Sequence, residues 1–320
     1  MRTTLALAAC LCLPLLSDAQ RGFRKIKKPY AWDIGFHQGA ANYLGEMGGK
    51  DLTRRDFVSD MKLSQTRYYS GIFARYKTGQ YWSVKGELDY IRIAGADSLS
   101  TNAARNARNL SFRNDMVELN GQALFHFYEV NDLGGSYLNR NYFRAYVGAG
   151  IGAVYHNPKT LYNGEWVALR PLTTEGQEKP YSRVTAVVPI SGGMYVTLNK
   201  KCRLGWDITW RTAFTDYLDD VSTTYADDSQ LPNATAIALS NRTDEKNDLT
   251  PAFANNFTPG SKRGDATHND SYLTTSFEMS YVLSGRSDWR KWIDKKPGNK
   301  GIRNPIFGPG RPQVIRPPKW

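Results

Sequence analysis

Cysteine is scarce in this 320-residue sequence, which contains only Cys10, Cys12 and Cys202. The first two lie within residues 1–19, so a chain without that segment keeps a single cysteine, which excludes an intrachain disulfide and a cysteine-rich zinc site. Long apolar runs are also lacking, because no stretch after residue 19 reaches the roughly 18 apolar residues that a membrane-spanning helix needs. A transmembrane helix is therefore excluded from that part of the chain.

Residues 1–19 have the features of a secretory signal peptide. A basic residue near the start is followed by an apolar run over residues 5–16 and by small residues just before position 20. The pattern predicts signal-peptidase cleavage between Ala19 and Gln20 and export of the rest of the chain. Residues 7–10 also resemble a lipobox, but cleavage there leaves a very short apolar run, so this alternative is disfavoured.

The basic charge of the sequence is concentrated at its two ends. The formal net charge is +12, but residues 20–30 contain five basic residues and no acidic one, and residues 286–320 contain ten basic residues against two acidic ones. The remainder is therefore close to neutral. Nucleic-acid binding proteins can have such ends, but an exported chain does not meet nucleic acid, so an acidic protein surface or anionic lipid is the expected partner.

Residues 143–155, FRAYVGAGIGAVY, show a different pattern. Every second residue is apolar, with Phe143 and Tyr155 at the ends, whereas the alternate positions include Arg144 and three glycines. Alternation of period two predicts a β-strand whose faces meet different environments. At about 3.3 Å per residue and a tilt of about 40°, such a strand rises roughly 33 Å, enough to cross a bilayer core of about 30 Å.

The same alternation recurs in seven other segments, so the sequence predicts eight strands over residues 31–285. The connections alternate in length: the longer ones are residues 46–65, 95–114, 156–180 and 216–270, and the shorter ones are residues 79–80, 129–141 and 199–200. This pattern is typical of an all-β, eight-stranded antiparallel transmembrane barrel of the outer membrane. An extended, proline-rich basic tail follows at residues 286–320. Bulges are expected near Gly39, where the alternation is lost, and at Pro189.

The polar faces of the strands are expected to line the interior of the barrel. Eight strands enclose a space that side chains just fill, so ionised side chains there are expected to pair with one another rather than to form a conduit. The predicted lumen charge network consists of Arg67, Arg75, Lys85, Glu87, Glu118, Arg144, Arg183, Asp207, Arg211 and Glu278.

Chemical sites have little support in the sequence. The four histidines lack the HExxH spacing of a zinc site. His156 lies where a lipid-modifying barrel enzyme would need a histidine, but no serine pairs with it in the sequence, and a rim or loop histidine is the preferred interpretation. The five aspartates between Asp216 and Asp228 lack the EF-hand spacing and are predicted to form a solvated loop. No catalytic, metal-binding or cofactor-binding residue is therefore predicted.

Four stretches stand out as motifs. They are GAANYLGE at residues 39–46, RNLSFRND at 108–115, PLTTEGQ at 171–177 and FTDYLDDVSTTY at 214–225. Together they resemble a family of small outer-membrane barrels of Bacteroidota, which includes PorG of the type IX secretion system, and the resemblance covers residues 31–285. It implies a non-enzymatic barrel that associates with a periplasmic ring of PorK and PorN type in a machine for protein secretion and, in some species, gliding motility.

The two basic ends are the expected contact with such a ring. An even number of strands brings both ends to one side of the membrane, the periplasmic side. Basic and tryptophan side chains are predicted to bind the partner because arginine and tryptophan are favoured at interfaces; they are Arg24, Lys25, Lys27, Lys28, Trp289, Arg290, Lys291, Trp292, Lys295, Lys296, Arg303, Arg311 and Arg316. The alternatives are a structural or adhesive barrel that acts through its long outer loops and a lipid-modifying enzyme that uses His156.

Overall fold

The computed structural model describes residues 32–45, 47, 63–79, 81–130, 142–198, 201–246 and 256–283. In this part of the chain ten β-strands are found: β1 (Trp32–Leu44), β2 (Arg67–Lys77), β3 (Trp82–Ala96), β4 (Ser111–Val130), β5 (Tyr142–Tyr155), β6 (Pro158–Tyr162), β7 (Glu165–Ala168), β8 (Val184–Leu198), β9 (Cys202–Ala213) and β10 (Ser271–Leu283). Two α-helices, α1 (Ala103–Arg108) and α2 (Ala234–Ser240), lie in connections between strands. Among the described residues, no helix is long and apolar enough to cross a bilayer.

Eight of the ten strands close into an antiparallel barrel. The order around the sheet is β3-β2-β1-β10-β9-β8-β5-β4, and β3 also pairs with β4. The predicted eight-stranded antiparallel barrel is therefore confirmed. The other two strands, β6 and β7, form a hairpin that pairs with β4 through Arg113 and Asn114. This hairpin continues the sheet beyond the end of β5, in a connection for which the alternation predicts no strand.

Long and short connections lie at opposite ends of the barrel. Short turns join β2 to β3 and β8 to β9, whereas residues 97–110, 156–183 and 214–270 make their connections at the other end. The first residue of β1, Trp32, pairs with the last residue of β10, Leu283. Both chain ends therefore leave the barrel at the end of the short turns, here called the short-turn end; the opposite end is called the long-loop end.

The outer surface of the barrel is apolar, and this is the reverse of a water-soluble sheet protein. Ile151 and Phe277 are 76% and 74% exposed on it, and aliphatic side chains of the other strands surround them. Exposed aromatic side chains border the short-turn end, namely Trp32, Tyr76, Tyr81, Trp82, Phe125, Phe127, Tyr128 and Tyr281. A smaller group, Tyr68, Tyr155 and Phe214, borders the long-loop end. The polar side chains of the same strands point inward and are buried.

Both predicted bulges are wrong. The pairing of β1 with its neighbours runs through Gly39 without a shift of register. The alternation weakens there because the interior becomes apolar towards the long-loop end, where Ala41 and Tyr43 face inward. At Pro189 the register is also kept, but the pairs with Gly150 and Ile151 of β5 are missing, since proline has no amide hydrogen to donate. The register shift that does occur lies in β4 at Phe127.

The long connections fold into a cap over the long-loop end, formed by the described parts of residues 97–110, 156–183 and 214–270. Asn102 and Asn233 cap the first turns of α1 and α2 with their side-chain oxygens, as expected for N-cap asparagines. A buried apolar cluster joins barrel residues such as Met116 to cap residues such as Leu218 and Leu239. The barrel and the cap therefore share one hydrophobic core, which closes this end of the lumen.

Candidate functional site

A cluster of four charged residues lies in the half of the lumen nearer the short-turn end. The ammonium of Lys85 lies 2.5 Å from a carboxylate oxygen of Glu87 and 2.5 Å from one of Glu278. The second oxygen of Glu278 accepts a hydrogen bond of 2.5 Å from Nη2 of Arg75, whose guanidinium also stacks over the ring of Tyr195 at 4.6 Å. All four charged side chains are buried. A buried ion costs several kcal/mol unless it is paired, and here two cations neutralise two carboxylates.

A second cluster surrounds Arg211 nearer the long-loop end. Its Nε lies 2.9 Å from Glu118 Oε1, and its Nη2 lies 3.3 Å from Asp89 Oδ2. Tyr272 donates a hydrogen bond of 2.6 Å to the other oxygen of Glu118, and His37 Nε2 lies 2.9 Å from Asp89 Oδ1. These side chains come from β1, β3, β4, β9 and β10, so the cluster joins strands across the interior of the barrel.

Charged pairs also fill the lumen at the short-turn end. Asp33 accepts from Arg203, and Glu129 lies 2.7 Å from Arg144 and 3.8 Å from Lys77. The lumen is therefore occupied by paired side chains along its length, as expected for an eight-stranded barrel.

The structure places most of the predicted network in the lumen, with two corrections. Arg75, Lys85, Glu87, Glu118, Asp207, Arg211 and Glu278 are buried in it, and Arg144 is half-buried at the short-turn end. Arg67 faces inward but lies at the long-loop end, where it donates to Ser64 O, Thr66 O and Gln65 Oε1 instead of to a lumen carboxylate. Arg183 is exposed and precedes β8, because that strand begins later than the alternation predicts.

Four further members of the network were not in the predicted set: Asp33, His37, Asp89 and Arg203. Each stands at an inward position of its strand, so strict use of the alternation identifies them. His37, Glu87 and Glu278 lie close enough together to hold a metal ion. The ammonium of Lys85 contacts both carboxylates, however, so the charge of this group is already compensated by a lysine.

A buried cluster of acidic and hydrogen-bonding side chains lies where the cap meets β1, around Tyr43. The hydroxyl of Tyr43 lies 2.7 Å from Asp219 Oδ2 and 2.6 Å from Asp270 Oδ1. The backbone N–H groups of Val221 and Leu218 donate to the remaining oxygens of Asp219 and Asp270. The phenol has one proton, and its hydroxyl lies between two buried carboxyl groups, so Tyr43 connects β1 to both Asp219 and Asp270.

Glu175 binds the backbone that follows these aspartates. Its carboxylate accepts hydrogen bonds from the N–H groups of Ser222 at 2.8 Å and Thr223 at 3.0 Å. Nη1 of Arg263 lies 2.9 Å from the same side chain and is buried with it. A carboxylate with this many donors is held in one orientation, so Glu175 fixes the course of the 214–225 segment over the lumen.

Asp220 occupies the neighbouring position. It accepts hydrogen bonds of 2.5 Å from the Thr174 hydroxyl and 2.8 Å from the Tyr181 hydroxyl, and its cationic neighbour, Arg263, lies 3.7 Å away. Burial is the largest effect on this carboxyl and raises its pKa to about 6, because removal from water penalises the charged form.

The four sequence motifs meet in this part of the cap. Arg108 contacts Asp97 through Nε at 2.6 Å and donates to the backbone oxygen of Arg263 at 2.5 Å, and Asn114 donates to Leu218 O at 2.7 Å. The buried polar cluster of the cap consists of Tyr43, Arg108, Glu175, Asp219, Asp220, Arg263 and Asp270. Each of the four motifs contributes a residue to this cluster or contacts it directly. The motifs are distant in the sequence, but together they close the long-loop end.

A family model described as "Domain of unknown function (DUF6089)" matches residues 24–239. The chain belongs to the DUF6089 family. The matched region contains β1 to β9 and most of α2, and therefore every barrel strand except β10. No curated protein matches the sequence.

Several solved structures align with this DUF6089 protein over most of its length. The attachment invasion locus protein Ail of Yersinia pestis, in complex with a heparin analogue, is 10% identical with a TM-score of 0.31, over 78% of this chain and 95% of that one. The N-terminal β-barrel domain of Pseudomonas aeruginosa OprF is 7% identical with a TM-score of 0.31, over 78% and 97%. Pseudomonas aeruginosa OprG is 9% identical with a TM-score of 0.30, over 81% and 97%.

The prediction of a solvated acidic loop is wrong for three of the five aspartates. Asp216, Asp219 and Asp220 are buried in the DUF6089 cap. Only Asp227 and Asp228 are exposed, and Asp227 caps the short helical turn that follows it. The sequence offers one signal of this outcome, because apolar Leu218 and Val221 lie among the buried aspartates in a segment without proline or glycine.

His156 lies between β5 and β6, as a loop histidine should, but it is buried. Its ring stacks on Tyr181 with the ring centroids 5.9 Å apart, and burial lowers its pKa to about 4. A neutral imidazole packed inside the cap is not open to a lipid substrate. This geometry argues against the lipid-modifying interpretation.

Several predictions fall outside the described residues and stay predictions. The signal cleavage at Ala19 and Gln20 is one of them. All the predicted partner-binding residues, which lie in 20–30 and 286–320, are the others.

Proposed function

We propose that this protein is a non-enzymatic barrel of the bacterial outer membrane, with both chain ends in the periplasm. The observation that carries the proposal is the inverted distribution of side chains, apolar and exposed outside, charged and buried inside. Monomeric proteins in water rarely expose a large contiguous apolar surface. In hydrocarbon such a surface is favourable. A closed barrel also pairs the backbone N–H and C=O groups with which acyl chains cannot form hydrogen bonds.

The height of the apolar surface fits the outer membrane. On β4 it extends from Val117 to Phe127, and both residues are exposed. Ten steps of about 3.3 Å at a tilt of about 40° give roughly 25 Å, the height of the apolar band of outer-membrane barrels. Aromatic side chains at both borders of this band are typical of membrane-water interfaces.

The interior supports a role as an anchor or positioning element instead of a conduit. The lumen contains paired charges along its length, and the cap closes its long-loop end with a shared apolar core. Opening a path would separate several buried ion pairs and leave their charges without partners, which is unfavourable.

We further propose that the barrel positions a periplasmic ring of the PorK and PorN type in a type IX secretion machine. Three observations support this finer proposal. The four motifs resemble those of the barrel family of that system, both chain ends leave the barrel on one side, and the segments beyond them carry most of the net charge. Dense basic charge with interspersed tryptophan suits an acidic protein partner.

Affinity purification from the native outer membrane tests the finer proposal. The full chain is compared with a variant in which Arg290, Lys291, Lys295 and Lys296 are replaced by glutamine. Recovery of the ring proteins is expected to fall by about tenfold or more, since rim charges contribute to association mainly through electrostatic attraction. Undiminished recovery with the variant contradicts a role for this segment in ring binding.

The control removes cap charges that face away from the short-turn end. Lys179 and Lys262 are exposed in the cap, and their replacement by glutamine is expected to leave the recovered ring proteins unchanged. If the cap variant loses its partners while the basic-segment variant keeps them, the function resides in the outer loops, as in the adhesive alternative.

A further inference from the structure

A group of charged side chains lies on the outer surface, directly above the apolar band at the long-loop end. Arg92 of β3 stands opposite Asp115 of β4, and Arg113 of β4 stands opposite Lys159 of β6. Residues opposite each other in an antiparallel pair share a face, so all four point outward, next to the exposed apolar Val117. We call this group the rim patch.

Asp115 orients the two arginines of the rim patch. It accepts hydrogen bonds of 2.5 Å from Arg92 Nε and 2.7 Å from the Tyr90 hydroxyl, and it lies 3.4 Å from Arg113 Nε. The guanidinium of Arg113 also stacks over the ring of Trp166, 3.8 Å from its centroid. Arg113 is thus held by an ion pair with Asp115, without a hydrogen bond at Nε, and by stacking of one face on Trp166. No described residue accepts a hydrogen bond from its terminal nitrogens, which can contact a further group.

Charge is left over in the rim patch. Three cations face one carboxylate, a surplus of two positive charges. No described residue accepts a hydrogen bond from the side-chain ammonium of the half-buried Lys159. On the opposite side of the barrel the outward residues at this end, Thr212 and Leu273, are uncharged. The surplus is therefore a property of one sector of the rim, formed where the β6–β7 hairpin joins β4.

The surroundings of the rim patch are amphipathic. Trp166 and Leu161, on the outward face of the hairpin, are each 45% exposed beside it, and Tyr155 is 42% exposed at the border of the band below. Tryptophan and tyrosine prefer the level of lipid headgroups. A ligand of this site meets cations at the headgroup level and apolar side chains on either side.

We propose that the rim patch binds a phosphate group of an outer-leaflet glycolipid, with Arg113 and Lys159 as the principal ligands. The inference rests on the proposed outer-membrane location, which puts the long-loop end in the outer leaflet. Arginine presents a planar fork that matches phosphate oxygens, and lysine adds a point charge. The acyl chains of the same lipid lie against the apolar band beneath the patch, so one molecule satisfies both parts of the surface.

The test uses the full chain in phosphatidylcholine nanodiscs that contain equal amounts of diphosphoryl lipid A and dephosphorylated lipid A. Native mass spectrometry counts the lipid A that the protein retains. The wild type is expected to retain the phosphorylated form, and the double variant Arg113→Gln, Lys159→Gln is expected to lose it by about tenfold or more, because two charge-assisted hydrogen bonds are removed. Equal retention by wild type and double variant overturns the proposal.

Two further comparisons separate the ligand source from a general charge effect. The variant Lys179→Gln, Lys262→Gln has the same change in net charge in the cap and is expected to retain the phosphorylated lipid as the wild type does; a matching loss in this variant overturns the assignment to the rim patch. Inorganic phosphate in the buffer is expected to leave the retained lipid unchanged, and efficient displacement by it points to free phosphate and overturns the lipid assignment.

Insertion is read separately from lipid retention. The fraction of protein that co-elutes with the discs reports entry into the bilayer, and the shift of electrophoretic mobility on boiling reports a folded barrel for each variant. A wild type that does not enter the discs contradicts the proposed membrane location itself. A wild type that enters them but does not distinguish the two forms of lipid A contradicts only the rim patch proposal.

Discussion

At the scale of single residues, the protein buries ionisable groups and compensates the charge of many of them by a specific neighbour. Lys85 between Glu87 and Glu278 is the clearest case in the lumen. Asp220 is the clearest case in the cap, since its carboxyl is buried against two hydroxyl donors. The difference matters for pH, because a carboxyl that is held mainly by neutral donors keeps its proton more readily than one paired with a close cation.

Asp220 gives a pH dependence with a defined sign. Its pKa rises from 3.8 to about 6 on folding, so the folded chain binds the proton more tightly than the unfolded chain does. The resulting stabilisation is complete below about pH 4 and is lost as the pH rises through about 6, by at most about 3 kcal/mol. Replacing Asp220 by Asn is expected to remove this part of the slope when urea unfolding is followed by tryptophan fluorescence across that range.

The matched control for Asp220 is Asp227, an exposed aspartate seven residues further along the chain. Asp227→Asn is expected to keep the slope of the wild type between about pH 4 and about pH 6, because Asp227 is exposed and its pKa is lowered by hydrogen bonds from Ser229. An unchanged slope in the Asp220 variant shows that its carboxyl does not titrate differently on folding.

At the scale of elements, β5 shows how a barrel this narrow accommodates long side chains. Its inward positions include Gly148, Gly150 and Gly152, which stand opposite Leu124, Gln122 and Asn120 of β4. A Cβ at Gly150 would lie 2.1 Å from the backbone oxygen of Gly121 and 2.8 Å from Cα of Gln122. The glycine therefore permits the close approach of β4 and β5.

Two glycines on neighbouring strands test this explanation. Gly150→Ala is expected to destabilise the folded barrel by about 1–3 kcal/mol because backbone atoms must move. Gly121→Ala is expected to stay within about 0.5 kcal/mol, since a Cβ there points outward with no atom within 4 Å. The measurement is the urea midpoint of each folded variant in the same detergent. Equal effects of the two substitutions contradict the assignment of the faces.

The eight strands and the alternation of their connections could be predicted from the sequence because both depend on local patterns of period two. The course of the cap could not. Asp219 and Glu175 have the composition of a solvated loop, and only the distant partners Tyr43 and Arg263 make their burial favourable. The alternation places Arg183 in the lumen because it starts before the first residue of β8. The β6–β7 hairpin escaped prediction because its two strands are too short for a clear period.

At the scale of the whole molecule, three regions differ in the chemical character of their side chains. The outer face of the strands is apolar, the lumen holds paired charges, and the cap covers the long-loop end with a core shared with the barrel. The chain ends emerge at the other side. Under the proposed function this arrangement separates two tasks: the apolar band would fix the molecule in the membrane, and the chain ends would be left to contact a partner.

Depth-dependent quenching tests the central claim, that the apolar band faces acyl chains. In a Cys202→Ala background, a bimane label is attached to a cysteine at Ile151, in the middle of the band, or at Lys262, in the cap. The label at Ile151 is expected to be quenched by phospholipids with brominated acyl chains and to be protected from aqueous iodide, and the label at Lys262 is expected to behave in the opposite way. Efficient iodide quenching at Ile151, without quenching by the brominated lipid, would contradict the account.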